Sequence, residues 1–395
     1  MPHRSLGVRY MRSALGRFLV TAARRAFLTF VVLTSLLTIF IAVTPQGKAG
    51  FRAGLFVPQV LDSPIKPQAW FTNDPVRHEV TYPLATGTGV ADVYRIPDSE
   101  GRAAVLLFLG ANAAGRDDED VVNLGEALAR SGFVVMFHWS PTMALQHNID
   151  PTEIDNLVRA FQFLEQQEWV APERVGVGGF CVGASFSLVA AADPRISDRV
   201  EFVNAFGPYF DAGDLLLQVV TRTRLDQGVR TPWEPDSLTL KVFANELIET
   251  LNDSNDRELL TRVFVSGGTA DLNDLTPAGR NIAKLIEGVS LEAAERIFDD
   301  LPQDFLKAME RISPSRYVDD LQAKLLVLHD RDDELVPSAE SRRLAAAMEE
   351  RGDFRYTELL SFDHVRPTSG TGVWQLSQEG FKLYRHMYSV MRSGA

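Results

Sequence analysis

The stretch from Arg174 to Ala192, RVGVGGFCVGASFSLVAAA, constrains the fold more than any other part of the chain. It opens as a continuous apolar run, the pattern of a strand buried on both faces of a parallel sheet. It passes through Gly179-Phe180-Cys181-Val182-Gly183 with no polar loop and continues as an apolar, Ala-rich segment of helical character. A buried strand that turns directly into a buried helix belongs to an architecture in which helices cover a parallel sheet. The glycines on either side of Cys181 suit a strained turn where strand and helix backbones approach closely.

Other segments repeat the theme. Glu79–Tyr82 and Val90–Arg95 read as two strands joined by a Gly-containing turn. Ala103–Leu109, Val134–His138, Phe202–Phe206, Leu325–His329 and Tyr356–Leu360 read as further buried strands. Helical spacing marks Asp118–Ser131, stopped by Gly132, and Glu153–Gln167. The expected fold class is α/β, a mostly parallel sheet flanked by helices, built from residues 78–210 and 313–395. Between Phe206 and Leu325 no strand pattern is evident, whereas Leu238–Leu251, Ala278–Ile286 and Leu291–Ile312 look helical. A structureless loop of that size is implausible, so 211–312 is expected to form a helical cap over the carboxyl ends of the strands, where open α/β sheets bind ligands.

The N-terminal region follows a different logic. Ala26–Val43 is an uncharged run of eighteen residues, about 27 Å long as a helix, which matches a thin bilayer core. Residues 1–25 contain Arg4, Arg9, Arg12, Arg17, Arg24 and Arg25 and no acidic residue. Such a flank stays cytoplasmic, so 26–43 is expected to be a single membrane anchor that leaves the following domain outside the cytoplasm. A cleaved signal peptide is the alternative, although the run exceeds a typical signal core. Residues 44–77, rich in Pro and Gly, read as a linker over the folded domain.

Composition excludes several functions. The net charge of −12 argues against a nucleic-acid partner. The lone Cys cannot form an intrachain disulfide, and neither a CxxC nor an HExxH spacing occurs, so no metal or organic cofactor is expected. The same Cys181 occupies the centre of a G-x-C-x-G turn between strand and helix, where a side chain is lifted out at the sheet edge. The adjoining helix N-terminus favours thiolate there. The Val182 N–H is positioned as one oxyanion donor. The loop after Ala103–Leu109 offers Ala111 N–H as the second, with the Asn112 side chain as a further contributor. His138, at the carboxyl end of its strand, is a candidate pocket-lining residue.

From His78 to the C-terminus, with 211–312 interrupting it, the chain resembles the α/β-hydrolase superfamily. GFCVG is similar to the elbow of dienelactone hydrolases and equally to the box of polyhydroxyalkanoate synthases. Both families use a Cys–His–Asp triad, the first to open a lactone and the second to transfer an acyl chain. LLVLHDRDDELVP resembles the superfamily's strand-end pattern H-G-x-x-D-x-x-V-P, which implies Asp333 as the acid, with Asp330 replacing the usual Gly, Asp332 a neighbour and His329 a packing residue. LLSFDHVRP then implies His364 as the base, in the superfamily's order of nucleophile, acid and base. Many relatives read H-G-x in the oxyanion loop, where this chain reads Leu109-Gly110-Ala111. Dienelactone hydrolases lack a large cap, and the synthases are larger and not expected to carry an N-terminal anchor. The resemblance therefore implies the triad Cys181, Asp333, His364 and acyl chemistry without choosing the substrate. Three functions stay open: cleavage of an ester, lactone or thioester through an acyl-enzyme; acyl transfer by the same triad; and a catalytically inactive binding protein. The small-molecule acyl substrate is expected to be partly apolar, given Leu215–Leu217 and Phe243 in the cap.

Overall fold

A computed structural model describes residues 6–61, 65–97, 99–111, 114–360, 362–363, 366–367 and 373–394. The chain opens with two helices, α1 (Leu6–Val43) and α2 (Pro45–Val60). The strands are β1 (Val76–Pro83), β2 (Thr88–Arg95), β3 (Arg102–Phe108), β4 (Phe133–Trp139), β5 (Val170–Phe180) and β6 (Val200–Phe206). Helices α3 (Glu119–Arg130), α4 (Pro141–Gln146), α5 (Glu153–Glu165) and α6 (Val182–Ala191) alternate with them. An insertion follows β6, with α7 (Ala212–Thr221), a hairpin of β7 (Thr223–Asp226) and β8 (Val229–Pro232), then α8 (Ser237–Glu249), α9 (Ser254–Leu260), α10 (Pro277–Glu287), α11 (Leu291–Phe298) and α12 (Gln303–Arg311). The chain returns through β9 (Lys324–Asp330), α13 (Ser338–Ala347), β10 (Phe354–Leu359) and α14 (Val373–Ser393).

Among the described residues the main sheet has the order β1-β2-β4-β3-β5-β6-β9-β10. β2 is antiparallel to both neighbours, and the other pairings are parallel. This is an α/β fold with a mostly parallel central sheet. The strand order reverses at β3: the chain steps outward to β4, then returns to place β5 on the other side of β3. Such a switch point opens a crevice at the carboxyl ends of the two central strands. Registers of Phe108 with Gly179, Phe180 with Phe206 and Phe206 with Leu328 align those ends.

Both faces of the sheet are covered. On one face Leu157 and Phe161 of α5 and Phe186 and Leu188 of α6 pack against Val177 and Leu325. On the other, Phe56 of α2, Leu128 of α3 and Met391 of α14 pack against Val105, Phe202 and Leu326. Burial on two faces explains why the strands read as continuous apolar runs. The insertion has its own apolar cluster around Leu216, Leu247, Leu260 and Leu285.

The linker expected at 44–77 is corrected in part. Thr44 caps α2 by accepting the Gly47 N–H at 2.9 Å, with Pro45 in the first turn, a favourable site for proline. Ala49, Ala53 and Phe56 are buried. Gly50 lets the helix approach Tyr384 of α14, whose hydroxyl would lie 3.1 Å from an added Cβ. The small residues that resemble a linker are therefore a packing surface. Pro302 likewise divides the helix expected at Leu291–Ile312 into α11 and α12, standing immediately before α12.

Residues Arg24–Val43 of α1 are long and apolar enough to cross a membrane, with a mean hydropathy of 2.5 and no buried residue.

Candidate active site

The turn between β5 and α6 holds Cys181 at φ 52°, ψ −124°. A non-glycine residue there carries strain that the surroundings must hold in place. They do so with backbone. The Cys181 N–H donates to Phe206 O at 2.8 Å, and the Cys181 carbonyl accepts from Ala184 N at 3.0 Å. A Cβ on Gly179 would lie 2.5 Å from Gly183 C, and one on Gly110 would lie 2.5 Å from Gly183 N. Strand, helix and the loop after β3 thus meet at a point that only glycines allow. Ser185 fixes the helix to the loop after β6 by accepting the Tyr209 N–H at 2.9 Å and donating to Tyr209 O at 3.0 Å.

Cys181 is half-buried. Burial, with the nearby charge of Asp333, pushes its thiol up to about 12, and a hydrogen bond from Val182 backbone pulls only weakly the other way. The helix N-terminus favours thiolate, but its effect is the smaller one here. Desolvation and the charge of Asp333 outweigh it and favour the protonated thiol.

Gly110, at φ 66°, folds the start of the next loop against the first turn of α6. Ala111 is buried beside it. This brings Val182 and Ala111, the two expected oxyanion donors, to one corner beside Cys181. Asn112 lies outside the described residues. A neighbour of this corner without any sequence signal is His147, at φ 56° after α4. Its imidazole hydrogen-bonds the Ala111 backbone, and burial followed by the charge of Lys241 lowers its pKa. Its Nδ1 is buried without a partner among the described residues.

Asp333 is buried in the loop after β9. Its Oδ1 accepts the N–H groups of Leu335 at 2.7 Å and Val336 at 3.0 Å. Its Oδ2 accepts no hydrogen bond among the described residues and lies 3.6 Å from His329 Nε2. Gly207, at φ 59°, passes close by: a Cβ there would sit 3.3 Å from Oδ2. One carboxylate oxygen is thus locked by backbone, and the other is buried beside His329 and Gly207 without a hydrogen bond among the described residues. His364, the expected base, lies outside the described residues. His329 is core packing, with Nδ1 2.6 Å from Ser341 Oγ and Nε2 2.9 Å from Val336 O.

His138 does not line a pocket. Its Nδ1 meets Tyr82 Oη at 2.5 Å and its Nε2 meets Glu153 Oε2 at 2.7 Å. Both ring nitrogens are consumed inside the core, because the side chain turns under the sheet toward α5.

The insertion closes over the same edge. Trp233 Nε1 donates to Asp333 O at 3.3 Å, Asp236 N to Glu334 O at 2.8 Å and Thr239 Oγ1 to Leu335 O at 3.0 Å. On the far side Ile149 N donates to Glu246 Oε1 at 2.6 Å, and Asn245 Nδ2 donates to Gln146 O at 3.1 Å. Helix α8 therefore bridges the loops after β4 and β9.

Two consequences are measurable. Asp333→Asn keeps an oxygen for both backbone donors but presents an amide N–H where the carboxylate faces the site. It is expected to lower kcat/KM roughly 10²- to 10⁴-fold while shifting stability by under about 1 kcal/mol. Near-normal turnover in this variant would reduce Asp333 to a turn residue. Glu246 offers a pH test. Burial, reinforced by Glu249 and Asp150, raises its carboxyl to about 7. A folded value above the unfolded one means that the folded chain binds the extra proton, so stability is complete below the unfolded pKa and declines as pH rises toward 7. Melting of the wild type is expected to weaken over that range, and Glu246→Gln should flatten the dependence.

No family model and no curated protein matches this chain. Solved structures do. The chain is similar to an esterase from Pyrobaculum calidifontis, with 17% identity, a TM-score of 0.46, and coverage of 92% of this chain and 97% of the other. It is similar to a thermostable carboxylesterase cloned from a metagenomic library, with 17% identity, a TM-score of 0.45, and coverage of 90% and 98%. It is also similar to acylaminoacyl peptidase from Pyrococcus horikoshii, with 10% identity, a TM-score of 0.45 and coverage of 80% of this chain. This chain spans 41% of the length of that peptidase.

Proposed function

We propose that this chain is a membrane-anchored hydrolase of the α/β-hydrolase type. It cleaves an ester, lactone or thioester through Cys181, His364 and Asp333 with an acyl-enzyme intermediate. The observation that carries this reading is the backbone at Cys181, φ 52° and ψ −124°, at the switch point of the sheet. Strain of this kind persists where function requires it, and the residue held there is the chain's single thiol. A degenerate binding protein would have no need to keep a nucleophile in a disfavoured conformation.

The chemistry follows from a protonated resting thiol. The His364 imidazole removes the Sγ proton as sulfur attacks the carbonyl carbon, and Asp333 Oδ2 stabilises the imidazolium. The Val182 and Ala111 N–H groups receive the oxyanion. Collapse expels the alcohol or thiol, which takes its proton from imidazolium. Water then loses a proton to the imidazole, attacks the thioester, and releases carboxylic acid and free Cys181. Helices α7–α12 act as a cap over the site. Leu238 and Phe243 of α8 border the apolar cluster that Cys181 also borders, which suits a partly apolar acyl group.

The anchor reading is supported by Arg24–Val43, whose Phe27, Phe30, Leu33, Leu36 and Leu37 are all exposed. A helix apolar all round, with none of its residues buried in the protein, suits lipid. The preceding arginines favour an orientation with its N-terminus in the cytoplasm and the catalytic domain outside.

The function is tested by giving the full-length protein p-nitrophenyl esters and acyl thioesters, with and without alcohol acceptors. Release of acid in the absence of an acceptor supports hydrolysis. Turnover that appears only with the acceptor would make the protein an acyltransferase.

A further inference from the structure

The amino-terminal edge of the sheet, opposite the elbow, carries a cavity of about 260 Å³. Lys48 and Arg52 of α2, Arg102 of β3 and Arg174 of β5 line it, with Glu100 as the carboxylate among them. Arg174 donates to Gly101 O at 2.7 Å and lies 3.8 Å from Glu173. The side chains of Lys48, Arg52 and Arg102 have no ion pair or hydrogen bond among the described residues. Arg52 is the most exposed to this imbalance electrostatically. Its guanidinium lies flat over Gly132, whose added Cβ would be 3.0 Å from Cζ. Burial and repulsion from Arg102 and Arg174 lower its pKa. Four cations around the single carboxylate of Glu100, with Arg52 partly desolvated among them, are costly unless a further anion joins them.

Three further features say which anion. A second cavity of about 300 Å³ shares Arg52, Arg102 and Gly132 with the first, and its mixed wall sets Phe51, Leu55, Phe71 and Phe133 beside Gln68, Thr72, Asn73 and Ser131. Ile65, Trp70 and Phe71 stand exposed on the same side, Trp70 at 70%. Exposed Trp flanked by basic residues is the composition of a membrane–water interface. Finally, Pro45 lines the basic cavity two residues after the apolar run ends at Val43, so the cavity lies within a few ångströms of that end.

We propose that this double cavity binds the phosphate headgroup of an anionic membrane lipid. The phosphate sits among Lys48, Arg52, Arg102 and Arg174, and the adjoining apolar part of the lipid lies against Phe51, Leu55 and Phe71. The site holds the base of the domain on the bilayer and turns the Cys181 edge away from it. This inference rests on reading residues 24–43 as a span.

The test places the full-length protein in phosphatidylcholine nanodiscs with and without phosphatidylglycerol. Lipid retained after release is weighed by native mass spectrometry, and melting is followed in the discs. Phosphatidylglycerol is expected to be retained in preference to phosphatidylcholine and to raise the melting temperature. Arg52→Gln/Arg102→Gln is expected to cut that retention about tenfold, as loss of two charge-assisted contacts should. In discs without anionic lipid the same variant should melt higher than wild type, because like charges have been removed. If the double variant does not melt cooperatively, Lys48→Gln, on the exposed rim, is used and should weaken retention about threefold. Equal retention of the two lipids, unchanged retention in the variants, or full stabilisation by inorganic phosphate in phosphatidylcholine discs would each overturn the lipid site. A chain stripped from the discs by alkaline washing overturns the span and the site together; one that stays inserted without lipid preference overturns the site alone.

Discussion

Cys181→Ala is expected to lower kcat/KM for any ester or thioester substrate by about 10⁴-fold or more, with little change in KM. In the proposed mechanism the substitution deletes the atom that forms the covalent bond and leaves Val182 and Ala111 in place, so binding should survive and bond formation should not. Its effect on stability should be within about 1 kcal/mol, because a half-buried sulfur is lost and the cap contacts through Trp233, Asp236 and Glu246 are untouched. Cys181→Gly separates the two roles of this position. Glycine tolerates φ 52°, so this variant is expected to be more stable than wild type by about 1 kcal/mol while equally inactive. A Gly variant less stable than wild type would mean that the elbow is not strained.

The second large effect falls on the glycine two residues further along. Gly183→Ala is expected to destabilise the protein by about 3 kcal/mol, beyond the usual cost of one added methyl. Ala normally stabilises a helix relative to Gly by about 1 kcal/mol, and Gly183 sits in the first turn of α6. Here the new Cβ would meet the backbone of Phe108 and, at 2.7 Å, Gly110 N. Those atoms belong to β3 and its loop, so relief requires moving the sheet or the loop that begins at Gly110. Gly380→Ala, in α14 with nothing within 4 Å of its added Cβ, should shift stability the other way, by about 0.5–1 kcal/mol. Thermal melts of the pair decide the matter. Equal small shifts would show that the strand–helix contact at the elbow is looser than described.

Much of the sheet was legible because its strands are buried on two faces and therefore announce themselves as apolar runs. β3, β4, β5, β6 and β9 coincide with such runs to within a few residues. The elbow was legible for a related reason: a strand can enter a helix across five residues only if small residues flank the turn. The misses share a different cause. Helix α2 is rich in Gly and Pro because it packs closely on α14 and begins at a proline, and these are the residues that also mark a linker. The β7–β8 hairpin is four residues to a side, too short for alternation to register. Proline 302 divided a helix whose apolar spacing runs on across the break.

At the site, sequence order placed Cys181, Val182, Ala111 and Asp333 on strand ends that the fold aligns. It could not show that Asp333 has one oxygen locked by Leu335 and Val336 and one without a hydrogen bond among the described residues, because that depends on a turn's backbone. Nor could it show that His138 faces inward to Tyr82 and Glu153, since the side a strand residue occupies follows from the helices packed on it. The thiol's protonation state was not legible in the sequence for a physical reason. The helix dipole is a local feature visible in sequence, whereas desolvation and the charge of Asp333, remote in the chain but near in the fold, exist only after folding.

The most direct test is the intact mass of the full-length protein, acid-quenched during turnover of an activated ester, followed by peptide mapping. The account expects one acyl group per chain, on the peptide containing Cys181, released by neutral hydroxylamine as a thioester is. An acyl group on any other residue, or undiminished turnover by Cys181→Ala, would contradict it.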